Sequence, residues 1–222
     1  MMPMEIDKIL RDEGAMLDND HLVLTSGRHS RGYVDFDPFL KRPELASKFD
    51  LLCSELALRI AEREDDSVLV GPETGGGKIA TPTAAWLTRM NHHRRIIDVT
   101  AWKVPGANKE FSIMPKDRHR LNGERVVVVD DVLTSGSSLR PTIALVREYG
   151  GFVTAIAVMI NRSKLTAADF EVPRLVSLRD MDIQSWNEDE CKIDGPCHDG
   201  VPINEIVGHG RAYMERQRAA AR

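Results

Sequence analysis

The feature that most constrains the fold is a repeated pattern of a short apolar run, a glycine-bearing turn and a helix. The pattern occurs twice, as Ser67 to Val70, Pro72 to Lys78 and Ile79 to Met90, and as Arg125 to Val129, Asp130 to Ser138 and Leu139 to Tyr149. A further strand is predicted at Val153 to Ile160. Such units build a parallel sheet that is covered by helices. Because ligands of these sheets bind beyond the carboxyl ends of the strands, we expect both loops to lie at a ligand site.

The segments around this core predict further elements. Glu5 to Met16 and Pro43 to Glu64 have apolar residues at helical spacing. Leu22 to Leu40 alternates irregularly and predicts short strands and a loop that form a hood over the site. The basic stretch Asn204 to Arg222 predicts a surface helix or a frayed tail. We therefore divide the chain into an N-terminal helix and hood (1–42), a core (43–180) and a C-terminal extension (181–222) that packs on the hood or the surface.

Composition excludes several classes of protein. With 222 residues, 42% hydrophobic and 29% charged, the chain is long enough to bury a core and is not typical of disorder. A net charge of −4 gives no general attraction to nucleic acid or to anionic membranes. The N-terminus lacks the apolar run of a signal peptide, and the three cysteines do not suggest a disulfide framework. The sequence predicts a cytoplasmic protein.

The segment Val126 to Ser138 carries the strongest chemical signal. An apolar strand ends in Asp130 and Asp131, and small hydroxylated residues with a glycine then precede a helix. Backbone N–H groups, hydroxyls and the positive end of that helix can hold a phosphate. The two carboxylates can accept hydrogen bonds from ribose hydroxyls, directly or through a metal. The alternative is that these residues only end a strand and cap a helix.

This segment resembles the phosphoribosyl pyrophosphate motif of type I phosphoribosyltransferases, which has four apolar residues, two acids and a Thr-Ser-Gly phosphate loop. Over most of residues 5–203 the chain is most similar to the orotate phosphoribosyltransferases. Further segments carry the similarity: Leu24 to Ser30 with Tyr33 to Asp35, Gly71 to Gly76, Ile160 to Arg162, and Gly200 to Ile203. The resemblance implies an α/β fold, with a central parallel sheet flanked by helices and a small hood built from the N-terminal and C-terminal segments.

The resemblance implies transfer of phosphoribosyl from 5-phosphoribosyl 1-pyrophosphate to orotate, with Mg²⁺ as the cofactor and an oxocarbenium-like transition state. It assigns Lys103, Asp130 and Asp131 to catalysis, and both aspartates reach the metal indirectly, through ribose or water. No general base is assigned. The implied substrate-binding residues are Arg28, His29, Thr74, Gly75, Gly76, Val132, Leu133, Thr134, Ser135, Gly136, Ser137, Ser138 and Arg162. A homodimer is also implied, in which the loop 102–118 reaches the neighbouring subunit's site.

The chain departs from the family pattern at two positions. His29 stands where the family usually has lysine, so a group that titrates near neutrality replaces a permanent cation. In the mobile loop Lys103 matches the family and Trp102 does not, and Lys109, Lys116 and Arg118 are candidates to supply further positive charge. These changes keep two alternatives open. One is a phosphoribosyltransferase for another base or a specialised metabolite, and the other is a non-catalytic regulator that senses phosphoribosyl pyrophosphate.

Two of the three cysteines lie close together in the sequence. Cys191 and Cys197, with His198 adjacent, are similar to a Cys-x-x-Cys pair of one family subgroup, but the spacing is wider here. A zinc site at these residues needs a fourth ligand, for which His209 is the nearest candidate. The alternative is a pair of small buried or unpaired thiols.

Overall fold

The computed structural model of the chain describes residues 3–24, 26–62, 66–91, 95–106 and 110–220. Its α-helices are α1 (Pro3–Asp12), α2 (Asp37–Lys41), α3 (Ala46–Ile60), α4 (Gly76–Met90), α5 (Pro115–Arg118), α6 (Leu139–Glu148), α7 (Glu188–Asp194) and α8 (Gly210–Ala220). Its strands are β1 (Met16–Leu17), β2 (Leu22–Val23), β3 (His29–Ser30), β4 (Tyr33–Val34), β5 (Val68–Pro72), β6 (Ile97–Lys103), β7 (Phe111–Ile113), β8 (Arg125–Leu133), β9 (Phe152–Asn161), β10 (Leu175–Asp180) and β11 (Ser185–Trp186). No helix of the described residues has the length and apolar character needed to cross a bilayer.

The chain forms two compact units. Unit 1 comprises residues 1–6 and 42–181, and unit 2 comprises residues 7–41 and 182–222. Residues 7–41 of the first predicted segment and residues 182–222 of the third thus belong to one and the same unit.

Unit 1 contains a six-stranded sheet with the strand order β10-β9-β8-β5-β6-β7 in the described part of the chain. Neighbouring strands from β10 through β6 run parallel, and β7 is antiparallel to β6 at the edge. The predicted α/β fold with a mainly parallel sheet is therefore confirmed. Helices α3, α4 and α6 connect and cover the strands.

The central strands β5 and β8 are buried because parallel strands are covered by helices on both faces. All five residues of β5 are buried, and the four consecutive valines Val126 to Val129 are fully inaccessible to solvent. Burying each such side chain stabilises the fold by about 1.5–3 kcal/mol. This burial explains why the sequence has continuous apolar runs here in place of an alternating pattern.

Several predicted boundaries differ from the observed ones. β8 continues through Asp130 and Asp131 to Leu133, where the sequence predicts a loop from residue 130 onward. The predicted N-terminal helix ends at Asp12 and not at Met16, because Gly14 adopts a left-handed φ of 69° and β1 follows. Part of the predicted hood forms the short sheets of unit 2, which are β11-β3-β2 and β1-β4.

The beginning of α4 lies very close to β8. A Cβ atom added to Gly76 would lie 1.9 Å from the carbonyl oxygen of Val129. Backbone cannot yield as a flexible side chain can, so only glycine permits this approach. A Cβ atom added to Gly77, the next residue of the helix, would have a side-chain methyl group of Thr100 as its nearest neighbour, at 3.0 Å.

We expect Gly76→Ala to lower the free energy of unfolding by about 3 kcal/mol or more, because the new methyl group must displace backbone. Gly77→Ala is the matched control and should cost less, since a side-chain methyl can move and alanine favours a helix by about 1 kcal/mol. Urea unfolding of both variants measures the difference. Equal stabilities for the two variants would contradict the close approach.

Candidate active site

The strand order changes direction between β5 and β8, which are neighbours in the middle of the sheet. The chain passes from β5 to β6 on one side, whereas β8 leads to β9 on the other. At such a switch point the loops beyond the two strands diverge and leave a crevice in which ligands bind. Here these loops are residues 73–75 after β5 and residues 134–138 after β8, and they are shorter than the predicted loops Pro72 to Lys78 and Asp130 to Ser138.

Asp130 links the two loops. Its side chain accepts hydrogen bonds from the backbone N–H of Gly76 at 3.0 Å and from the hydroxyl of Ser138 at 2.6 Å. The residue is only 3% exposed. Burial, and next the charge of Asp131, raise the pKa of Asp130 above that of an ordinary carboxyl group. These contacts give Asp130 a positioning role, because its carboxylate is occupied by protein donors.

Asp131 is half-buried and lies beside the loop that follows β5. A Cβ atom added to Gly75 would lie 2.5 Å from a carboxylate oxygen of Asp131, so this glycine makes room for the charged group. The carboxylate also accepts a hydrogen bond from the N–H of Val132 at 2.7 Å. Of the two adjacent aspartates, Asp131 is the one with solvent access at the edge of the sheet.

The loop 134–138 forms a concave surface at the start of α6. Thr134 and Ser135 are exposed, and residues 132–139 line a cavity of about 70 Å³. That volume has room for several water-sized groups and is comparable with a tetrahedral oxyanion. Gly136 has a left-handed φ of 72°, and its Cα faces the ring of Phe170 so closely that a Cβ atom would be 2.6 Å from it. The loop conformation therefore requires glycine at this position.

Helix α6 directs its positive end at this cavity. Ser138 is the N-cap residue, but its hydroxyl donates to Asp130 and makes no capping hydrogen bond to the helix. An anion in the cavity can thus take up the role that a capping side chain usually has.

Lys103 is the last residue of β6 and is exposed. Its backbone N–H donates to the carboxylate of Glu73 at 3.0 Å, and this contact holds the β5–α4 loop beside the end of β6. Sequence reasoning did not assign a role to Glu73, although it lies within the quoted pyrophosphate-loop segment. The position of Glu73 directly after the buried parallel strand β5 is the signal in the sequence that marks it as a candidate.

The predicted mobile loop 102–118 contains regular structure. Trp102 and Lys103 pair with Ser112 and Phe111 in the β6–β7 hairpin, and α5 follows. Arg118 of α5 donates to the carbonyl of Ile113 in β7 at 3.0 Å, and its guanidinium lies 5.1 Å from the centre of the Tyr149 ring. Lys116 is exposed, and Lys109 lies outside the described residues.

Arg162 follows β9 and is half-buried. Its backbone N–H donates to the carbonyl of Leu133 at 3.0 Å, so the residue lies beside the end of β8 within unit 1. The carboxyl ends of the strands of this unit, or the residues that directly follow them, contain all of these predicted residues: Thr74, Gly75, Gly76, Lys103, Arg162 and Asp130 to Ser138.

Arg28 and His29 belong to unit 2. The Arg28 guanidinium donates to the side chain and the carbonyl of Ser185, at 3.2 and 2.6 Å. His29 is fully buried against His21 and Cys197, and burial lowers the pKa of its imidazole. This location argues against the predicted role of the His29 side chain as a pH-dependent cation for substrate.

A larger cavity of about 480 Å³ lies at the opposite edge of the sheet, near the amino ends of β5 and β6. Its lining includes Ser67, Arg95 and Asp98, and none of the residues predicted to bind substrate. We place the candidate active site at the carboxyl edge despite the smaller cavity, since the glycine loops and Asp131 meet there.

We expect the pH dependence of stability to reveal the raised pKa of Asp130. Above an ordinary carboxyl pKa of about 4, the unfolded chain has released a proton that the folded chain still holds. The free energy of unfolding of the unsubstituted protein should therefore fall, relative to that of Asp130→Asn, from about pH 5 to about pH 8. Urea titrations of both proteins measure the difference, and a difference independent of pH would contradict the raised pKa.

The comparisons with known proteins agree with this geometry. The model of the family described as phosphoribosyl transferase domain matches residues 41–192. The orotate phosphoribosyltransferase of Pelotomaculum thermopropionicum is 35% identical over 198 residues, which are 89% of this chain and 93% of the relative. That of Caldicellulosiruptor bescii is 33% identical over 196 residues, which are 88% of this chain and 92% of the relative.

A solved structure gives the same result. The crystal structure of orotate phosphoribosyltransferase from Aeropyrum pernix has a TM-score of 0.57 and 27% identity to this chain, and it covers 79% of this chain and 93% of its own. Sequence, family model and fold agree over most of the chain, which therefore belongs to the phosphoribosyltransferase family and, within it, to the orotate phosphoribosyltransferases.

Proposed function

We propose that the chain transfers phosphoribosyl from 5-phosphoribosyl 1-pyrophosphate to orotate, giving orotidine 5′-phosphate and pyrophosphate. The observation that carries the proposal is the pair of loops at the switch point, one from residue 73 to 75 and the other from 134 to 138. Their N–H groups and hydroxyls suit two separate anionic groups, and Asp131 lies against Gly75 of the first loop and shortly before the second loop in the chain. A phosphorylated sugar with a pyrophosphate leaving group has the matching chemistry.

The proposed roles follow from the contacts. The cavity of residues 132–139 receives the 5-phosphate at the positive end of α6. The segment Thr74 to Gly76 receives the pyrophosphate at the start of α4, where Asp130 holds the N–H of Gly76. Lys103 and Arg162 supply positive charge, for the departing pyrophosphate and for the orotate carboxylate respectively. Asp130 positions the two loops through its hydrogen bonds with Gly76 and Ser138. Asp131 accepts hydrogen bonds from the ribose hydroxyls.

The donors at this edge fit Mg²⁺. Magnesium prefers oxygen ligands, keeps several waters and binds through one or two carboxylates together with substrate phosphates. Asp131 is a half-buried carboxylate at this edge. Glu73, which accepts a hydrogen bond from the backbone N–H of Lys103, is a second one. We propose that Asp131 holds the ion indirectly, through ribose or water. When bound, Mg²⁺ neutralises charge that develops on the pyrophosphate.

The chain's own residues contribute chiefly position and electrostatics. Holding a base nitrogen and the anomeric carbon in line converts a bimolecular displacement into an effectively intramolecular one. Fixed N–H groups and Lys103 stabilise the negative charge that grows on the leaving group. We assign no general base. By the same resemblance we propose a role in pyrimidine nucleotide synthesis, a cytoplasmic location and a homodimer.

The base specificity is tested by pyrophosphate release from 5-phosphoribosyl 1-pyrophosphate and Mg²⁺ with orotate, run beside uracil, hypoxanthine, adenine and nicotinate. We expect turnover with orotate alone. Turnover with another base in its place would support the alternative of a different substrate. Binding of phosphoribosyl pyrophosphate without turnover of any base would favour a specialised substrate or a sensing role and would overturn the proposal.

We expect Asp131→Asn to lower kcat/KM by about 100-fold or more, since it removes the charge that faces ribose and metal. The Mg²⁺ concentration needed for half-maximal rate should rise, while the free energy of unfolding should change by less than about 1 kcal/mol. Initial rates as a function of Mg²⁺ and urea unfolding measure the two effects. Asp98→Asn is the matched control, because Asp98 is also half-buried but lies at the amino end of β6. Equal activity of the two variants would refute the assignment of Asp131.

A further inference from the structure

Unit 2 contains a buried cluster of two imidazoles and two thiols that the proposed reaction does not use. Its members are His21, His29, Cys191 and Cys197, and one ligand atom from each lies within 4.8 Å of all the others. The first three residues are buried and Cys197 is partly buried. Four soft or borderline donors converging in a protected site are the ligand set of a tetrahedral metal centre.

The distances within the cluster fit one small ion. With Zn–S of about 2.3 Å and Zn–N of about 2.0–2.1 Å, tetrahedral geometry places sulfur and nitrogen ligands about 3.5 Å apart. The Sγ atom of Cys197 lies 3.6 Å from Nε2 of His21 and 3.4 Å from Nδ1 of His29, and that of Cys191 lies 3.9 Å from Nε2 of His21. The two nitrogens are closer, at 2.7 Å, because the rings share a hydrogen bond. To admit an ion the rings must rotate apart, and the proton of this hydrogen bond must leave Nδ1 of His29, which then carries its proton on Nε2.

Groups around the cluster orient its donors as they do around metal ions. Nδ1 of His21 lies 2.7 Å from the carbonyl oxygen of Val201, so this nitrogen carries the proton and Nε2 presents its lone pair to the cluster. In metal-bound histidines the other ring nitrogen commonly donates a hydrogen bond to such a carbonyl, which fixes the tautomer and the ring orientation. The backbone N–H of Cys197 donates to Sγ of Cys191 at 3.2 Å, which stabilises a thiolate there.

Gly195 makes this turn possible. A Cβ atom at this position would lie 2.9 Å from Sγ of Cys191 and equally close to its Cα. The chain can thus fold back after α7 and bring Cys197 to Cys191 across a spacing wider than that of a Cys-x-x-Cys pair.

We propose that His21, His29, Cys191 and Cys197 bind a structural Zn²⁺ ion. Four protein ligands complete a tetrahedron and leave no position for a substrate or an activated water, so the ion stabilises the fold and takes no part in catalysis. It would join the strand pair β2–β3 to the segment of α7, two parts of unit 2 that lie far apart in the sequence. The inference does not depend on the proposed function.

The ligand set differs from the candidate ligands that the sequence suggests for the alternative of a zinc site. Cys191 and Cys197 are confirmed as neighbours, but His198 is exposed and its Nδ1 lies 3.2 Å from Asp199. His209 does not belong to the cluster that the described residues form. The two histidines come instead from the N-terminal part of the chain, before and within the β2–β3 pair.

The first test is the metal content of the purified full-length chain, measured by inductively coupled plasma mass spectrometry. We expect a single zinc ion per chain, and a loss of at least tenfold in zinc content on Cys197→Ala or His21→Gln. His198→Gln and Cys53→Ala are matched controls, since His198 faces Asp199 and Cys53 is a buried thiol of unit 1. Zinc retained in both cluster variants, or iron in place of zinc, would overturn the proposal.

A second test does not depend on the folding of variants. The full chain is stripped with a chelator under reducing conditions and titrated with Co²⁺. We expect the visible absorption of tetrahedral Co²⁺ together with a thiolate-to-metal charge-transfer band, both abolished by Zn²⁺ and unaffected by Mg²⁺. The midpoint of thermal unfolding should fall on stripping and return with Zn²⁺ alone. An unchanged midpoint with no cobalt spectrum would mean that the cluster is only a hydrogen-bonded group of neutral side chains, and would overturn the proposal.

Discussion

The carboxylate of Asp130 holds together the two loops on which the candidate active site depends. It accepts hydrogen bonds from Gly76 at the start of α4 and from Ser138 at the start of α6. An intramolecular hydrogen bond contributes about 0.5–1.5 kcal/mol net, and a buried donor left without its partner costs about 1–3 kcal/mol. The N-termini of two helices are thereby fixed relative to each other and to the edge of the sheet. Asp131, one residue farther on, can then be exposed to ligand without having to support the fold.

The parallel sheet could be predicted because its physical cause is local. Helices cover both faces of β5 and β8, so these strands are continuous apolar runs that end in glycine-bearing turns. The extent of β8 could not be read in the same way. Asp130 and Asp131 look like loop residues, and β8 includes them because Asp130 finds a buried donor, the N–H of Gly76 at the start of α4, which precedes it by more than fifty residues.

The candidate site likewise has a part that could be predicted from the sequence and a part that could not. The residues from Asp131 to Ser138 form one local segment, and their order along the chain already indicates a site for a phosphate and a sugar. The burial of His29 is not evident from the sequence, because part of its surroundings, such as Cys197, comes from a distant part of the chain. The register of β2 against β3, which pairs Val23 with His29, brings position 21 close to it. That register, together with the turn at Gly195, is set by tertiary packing and is not visible in any single segment.

The arrangement of unit 2 has a consequence for how the chain acquires its structure. Strand β3 pairs with β2 on one side and with β11 on the other, and Ser30 lies opposite Ser185. Contacts between residues so far apart in sequence form slowly, because a long loop must close first. Most of unit 1 is a continuous stretch from residue 42 to 181 and can fold as it leaves the ribosome. The N-terminal strands of unit 2 must wait for β11 and α7 to be synthesised, so unit 2 is completed last.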